Sequence, residues 1–156
     1  MSYDSPTQTP ARAQFADETR PRKRIADETD GVVEQLRETL GADLSMVALY
    51  NEDVLELHYV HETVREQYDQ NGLDALASDL CLDARMGDAY QESLVQLGQL
   101  NFVVTGFDDG LLARIPLDDR TGVAVTTNLN AGDKIATEVP EVVAAHDVRV
   151  ESKSKQ

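Results

Sequence analysis

The apolar positions of this chain change period several times, and each change marks an element. In "DGVVEQLRETLG" (30–41), Val33, Leu36 and Leu40 recur at helical spacing, with Asp30 placed to cap the start and Gly41 to end the helix. "LSMVALY" (44–50) then alternates, with Leu44, Met46, Ala48 and Tyr50 on one face. The polar triplet "NED" (51–53) follows, and "VLELHYV" alternates again through Leu55, Leu57 and Tyr59. Two alternating runs about a short polar turn predict a β-hairpin. A polar helical stretch, "ETVREQYDQ", is broken at Asn71–Gly72. The clearest helix comes next, in "LDALASDLCLDARM", with Leu73, Leu76, Ala77 and Leu80 on one face.

The second half reads as a helical turn around 88–92, then strand from about Leu94 onward. "LNFVVTGF" runs into "DDG", a tight-turn signal, and "LLARIPL" alternates after it. The loop "DDRTG" leads to the β-branched run "VAVTTNL". "AGDKIATEVPEVVAAH" permits a last short helix on Ile135, Val139, Val142 and Val143, weakened by Pro140. The order is α-β-β-α-β-β-β-α. The fold class expected is α+β: a single, mainly antiparallel five-stranded sheet with helices on its faces.

Composition adds limits to this pattern. The chain has 156 residues, enough for one domain with a core, and 41% are hydrophobic. Aromatics are only 5% and Trp is absent, so the core must be built from Val, Leu, Ile and Ala. No apolar run is long enough for a transmembrane helix. The N-terminal "MSYDSPTQTPARAQF" lacks the apolar stretch of a secretory signal, and one cysteine cannot form an internal disulfide. The expected location is cytoplasmic.

Charge changes the picture most. Asp and Glu number 29 against 14 Lys and Arg, for a net charge of −15. Residues 31–145 hold 21 acids and six bases, so the excess lies wholly in the segment with periodic apolar pattern. That segment is read as the domain. Residues 1–30 and 146–156 are read as disordered tails, the first with prolines at 6, 10 and 21. A Lys-poor, acid-rich surface is expected of a protein that works in concentrated salt, where the Debye length falls to about 3 Å at 1 M. An acidic protein that binds a basic partner or mimics nucleic acid is the competing reading. The dispersal of the acids favours the first.

The first tail carries "RPRKR" (20–24), whose Arg20, Arg22, Lys23 and Arg24 are candidate electrostatic contacts. Nucleic-acid docking through four cations would follow a salt slope near about −3.6, too steep to hold in molar salt. The domain offers no basic helix to help. The cluster could also fold back on the acidic domain, or be solvated tail. Nucleic acid is therefore not the expected partner.

Residue types and spacing bear on other chemistry as well. His58 and His61 form H-x-x-H at a strand end, where positions three apart point to opposite faces and cannot chelate one ion without a bend. Cys81, flanked by Leu80 and Leu82 and near Asp79 and Asp83, lacks the cationic setting of a nucleophile. Asp108–Asp109 and Asp118–Asp119 bracket one strand, so turn chemistry suits each pair better than a shared ion. Neither a phosphate-binding glycine loop nor a G-x-S-x-G elbow is present. No catalytic residue, metal ligand or cofactor is predicted; a small regulator contacting nucleic acid through the N-terminal tail is the first alternative, and an enzyme with dispersed carboxylates the second. Leu73, Leu76 and Leu80 form either a core face or a partner-binding face.

The stretch "YQESLVQLGQLNFVVTGFDDGLLARIPLDDRTGVAVTTNL" resembles a family of small acidic proteins of halophilic archaea, through "YQESL", a glycine-interrupted strand, a "DD" turn and "TGVAV". The element order is similar to that of Roadblock/LC7 and other profilin-like domains. That resemblance implies a non-enzymatic scaffold or regulatory interaction module with a protein partner, often as a homodimer. The break at Asn71–Gly72 departs from the single long helix such a domain usually has.

Overall fold

The computed structural model describes residues 12–15, 26–27, 29–85, 101–118, 120–145 and 149–150. The chain runs β1 (Arg12–Phe15), β2 (Ala26–Asp27), α1 (Thr29–Leu40), β3 (Leu44–Tyr50), β4 (Val54–Val60), α2 (Glu62–Gln67) and α3 (Gln70–Arg85). It continues through β5 (Val103–Phe107), β6 (Gly110–Pro116), β7 (Gly122–Thr127), α4 (Gly132–Ala145) and β8 (Arg149–Val150). The class is α+β, with one main sheet and helices packed on it, as the periodicity predicts.

Among the described residues that sheet has six strands rather than five, in the order β1-β4-β3-β7-β6-β5. The added strand is β1, which pairs parallel with β4, so the sheet is mixed. It comes from the segment expected to be a disordered tail. β2 and β8, one from each expected tail, pair with each other as a separate antiparallel ribbon. The tail reading is corrected at these positions. The missed strand has four residues and one small buried side chain, and its partners lie far along the chain, so no local period announces it.

The two faces of the sheet are covered by different helices. On one face, Val32, Leu36 and Leu40 of α1 and Ile135, Val139 and Val143 of α4 pack on Val47, Leu49, Val123 and Val125. On the other, Leu73, Ala77 and Leu80 of α3 pack on Met46, Ala48, Leu55, Leu57 and Ala13. Sandwiching between two layers explains why β3 and β7 are apolar at successive positions. Gly41, at φ +55°, ends α1 in the left-handed conformation that glycine adopts without strain. α4 runs through Pro140, because its apolar stripe stays against the sheet on both sides of the lost backbone bond.

Two irregularities alter the expected alternation. The β3–β4 pairing shifts between Val47, opposite Tyr59, and Ala48, opposite Leu57, leaving His58 as an extra residue. Leu55 and Leu57 consequently face α3, while Tyr59 packs with the α1 layer under the Arg37 guanidinium, 4.9 Å from its ring centre. A second shift in the β3–β7 pairing puts Leu44 in the α1 layer and Met46 in the α3 layer. The helix break also lies earlier than expected. α2 stops at Gln67 and α3 starts at Gln70, so Asn71–Gly72 falls in the first turn of α3. Asp69 does the capping: its Oδ1 accepts from Gly72 N–H at 2.8 Å, and its carbonyl accepts from Leu73 N–H at 3.1 Å.

Candidate interaction surfaces

A sheet ends in two edges, and an unpaired edge invites another strand. Here the edges are finished differently. β5 pairs with β6 on its inner side, and among the described residues no strand lies on its outer side. Its side chains are half-buried at Val103, Val104 and Thr105, and Phe107 at its end is 60% exposed. The two-residue turn Asp108–Asp109 joins β5 to β6. Gly110 opens β6 where a Cβ would sit 2.6 Å from the Thr127 carbonyl oxygen, so only glycine fits.

The opposite edge is sealed. β1 lies along β4 from Arg12 opposite Val54 to Phe15 opposite Leu57, and Arg12 N–H donates to the Asp53 carbonyl at 3.0 Å. The outer side of β1 is then held by α3. Ala13 N–H donates to Asp74 Oδ1 at 2.9 Å, and Gln70 Nε2 donates to the Ala13 carbonyl at 3.1 Å. Gln70 Nε2 also donates to Asp74 Oδ1 at 2.9 Å, which locks the two side chains together one helical turn apart. The amide of Ala13, then the Gln70 side chain, hold the Asp74 carboxyl below its ordinary value; partial burial opposes this, and the Arg12 charge adds to it. Phe15 packs at the margin of the α3-side core, with the Arg65 guanidinium 4.2 Å above its ring.

Several other ionisable side chains have local roles. Glu56 is fully buried on β4, and its carboxylate lies 2.9 Å from Nε2 of His58, also buried. His61 caps α2, its Nδ1 accepting from Thr63 N–H at 3.2 Å. The two histidines of H-x-x-H therefore serve different partners. Asp118 Oδ1 accepts from Arg120 N–H, Thr121 N–H and the Thr121 hydroxyl, which closes the loop before β7. Among the described residues, no group of three or more His, Cys, Asp or Glu could hold a metal ion. No described helix is long and apolar enough to cross a membrane.

Leu73 and Leu80 are buried against the sheet, and Leu76 is partly buried on the same cluster. Arg20, Arg22, Lys23 and Arg24 lie outside the described residues, as do 86–100, the Cys81 side chain and Asp119. The pair Gln70 and Asp74 was not singled out from sequence. Its i, i+4 spacing was the available signal, but nothing local shows that it faces a strand from the other side of the fold.

The architecture is that of a Roadblock/LC7-fold domain. The gliding protein MglB of Thermus thermophilus is similar to it at a TM-score of 0.51 and 17% identity, over 76% of this chain and 90% of that one. The MglB of Myxococcus xanthus gives 0.50 and 12%, over 76% and 89%. A Roadblock/LC7 domain from Streptomyces avermitilis gives 0.42 and 18%, over 66% and 85%. No curated protein matches the sequence significantly. Within this fold the chain belongs to the domain-of-unknown-function family DUF7522, whose model matches residues 30–147.

Proposed function

We propose that the protein is a non-enzymatic interaction module of a salt-rich cytoplasm, which pairs with a second copy of itself through the free edge of β5 and presents the pair to a regulatory partner. The observation that carries this reading is the contrast between the edges. One is closed by β1 and α3, while on the other, beside exposed Phe107, no strand lies among the described residues. The fold shared with MglB supports an interaction role. So does the use of His61 in a helix cap, Asp118 in a loop and Asp74 in strand docking. The salt-rich setting rests on the net charge of −15.

Light scattering on the eluting chain, in about 2 M KCl to screen the charge, tests the pairing. The expected mass is twice the 17.2 kDa of one chain. Phe107→Lys should halve it without changing the circular dichroism, since an edge lysine blocks strand pairing. A wild-type chain that stays monomeric at every concentration, or a variant that stays paired, overturns the proposal.

A further inference from the structure

The groove between the β4 edge and α3 has an occupant that lies outside the residues matched by the family model. Its walls, Val54–Val60 and Gln70–Arg85, lie within the matched residues 30–147, whereas Arg12–Phe15 lies outside them. The occupant is held mainly through its backbone. β4 takes one side of it, and Asp74 and Gln70 read the N–H and carbonyl of Ala13 on the other. Contacts of that kind are indifferent to side-chain identity. Three side chains supply what selectivity there is. Ala13 is small enough to be buried against α3, Phe15 stacks under Arg65, and Arg12 brings a positive charge toward Asp74.

From this we infer that the groove is a peptide-docking site, and that Arg12–Phe15 is a tethered ligand occupying it. The partner it fits is an extended segment, laid parallel to β4, reading cation, small residue, any residue, aromatic. Charge complementarity favours such a segment, because residues 31–145 carry 21 acids against six bases. The tether is short: residues 16–28 separate Phe15 from α1. A linker of that length holds a ligand at a local concentration on the order of millimolar. A partner must outcompete that, so the resident strand sets a threshold for binding. This site is on the edge opposite β5 and does not depend on pairing there.

The test uses the full chain and a fluorescent peptide of residues 9–18, "TPARAQFADE", read by anisotropy. Ala13→Glu in the chain should expel the resident strand, since Ala13 is buried, and leave the groove intact. That variant should bind the peptide at least about tenfold more tightly than wild type does, as a tethered competitor is removed. Adding Asp74→Ala should weaken binding by about tenfold through the one lost hydrogen bond to the strand, and putting Glu at the position of Ala13 in the peptide should abolish it. Phe15→Asp is a second route to the same open groove. A folded Ala13→Glu chain that ignores the peptide refutes the inference. Failure of both Ala13→Glu and Phe15→Asp to fold refutes it too, since β1 would then be part of the fold. If a wild-type dimer becomes a monomer on Ala13→Glu, the strand is exchanged between copies, and the reading as a site for another partner is overturned.

Discussion

Gly122→Ala tests the packing of the sheet at a single methyl group. Gly122 stands opposite Tyr50 across the β3–β7 ladder, and a Cβ built there meets the Tyr50 hydroxyl and comes within 2.6 Å of the ring carbon that bears it. Tyr50 is itself buried, 3% exposed, within the α3-side core. The ring must either crowd its neighbours or leave. Overpacking costs about 1–3 kcal/mol, and loss of a buried aromatic side chain about as much, so the variant should lose about 1–3 kcal/mol. For a domain of this size that lowers the melting temperature by about 3–12 °C. Thermal melts by circular dichroism, at one fixed salt concentration, would measure it. The cause is isolated by repeating the substitution in a Tyr50→Leu chain, where the obstructing atoms are gone. There the added methyl should cost at least about 1 kcal/mol less than in wild type. Gly132→Ala is the control, because nothing lies within 4 Å of its Cβ position; it should be neutral or stabilising by up to about 1 kcal/mol. Equal costs for Gly122→Ala in both backgrounds would refute the steric argument.

Three further outcomes are expected. Leu80→Asp should abolish folding, because an unpaired carboxylate at a side chain 1% exposed costs several kcal/mol, whereas Asp79→Asn on the exposed face should stay within about 0.5 kcal/mol of wild type; circular dichroism of both decides it. Asp74→Ala should cost about 1–2 kcal/mol at neutral pH through two lost hydrogen bonds. Because the folded state holds the Asp74 carboxyl below its ordinary value, its contribution is complete above the unfolded carboxylate range and lost as pH falls through the folded one. The gap in melting temperature between wild type and Asp74→Ala should therefore close in acid, and a constant gap refutes the assignment. Finally, melting temperature should rise with KCl by more than about 5 °C between dilute buffer and molar salt, as screening relieves the repulsion within 31–145; a flat response removes the salt-adaptation argument.

The parts of this fold that were legible in the sequence are those whose pattern is local. The stripes Val33, Leu36, Leu40 and Ile135, Val139, Val142, Val143 are all buried or half-buried in the structure, and the alternating runs around "NED" and "DDG" are hairpins. What escaped is set by partners distant in sequence. The extra residue at His58 turns Tyr59 to the other face, and only the pairing with β3 reveals it. The helix break moved because Asp69, a short acceptor, caps better than Asn71–Gly72 terminates. "RAQF" shows no period of its own, and becomes a strand because the β4 edge and the Gln70–Asp74 pair supply its hydrogen bonds. The same long-range dependence hid the site: Asp74 looks like any surface acid until Ala13 is placed beside it.

The different finish of the two edges limits how far such a molecule can assemble. Among the described residues only the β5 edge has no strand on it; a sheet of that kind can add one neighbour there, and if both chains use the same edge, as proposed, the two-fold contact consumes it, so growth stops at a pair. A sheet with both edges free has unlike ends, and unlike ends can join in succession without closing. On the proposed pairing, Arg12–Phe15 acts as a chain terminator in the polymer sense: four residues, fastened by Asp74 and Gln70, separate a finite complex from an open-ended ribbon.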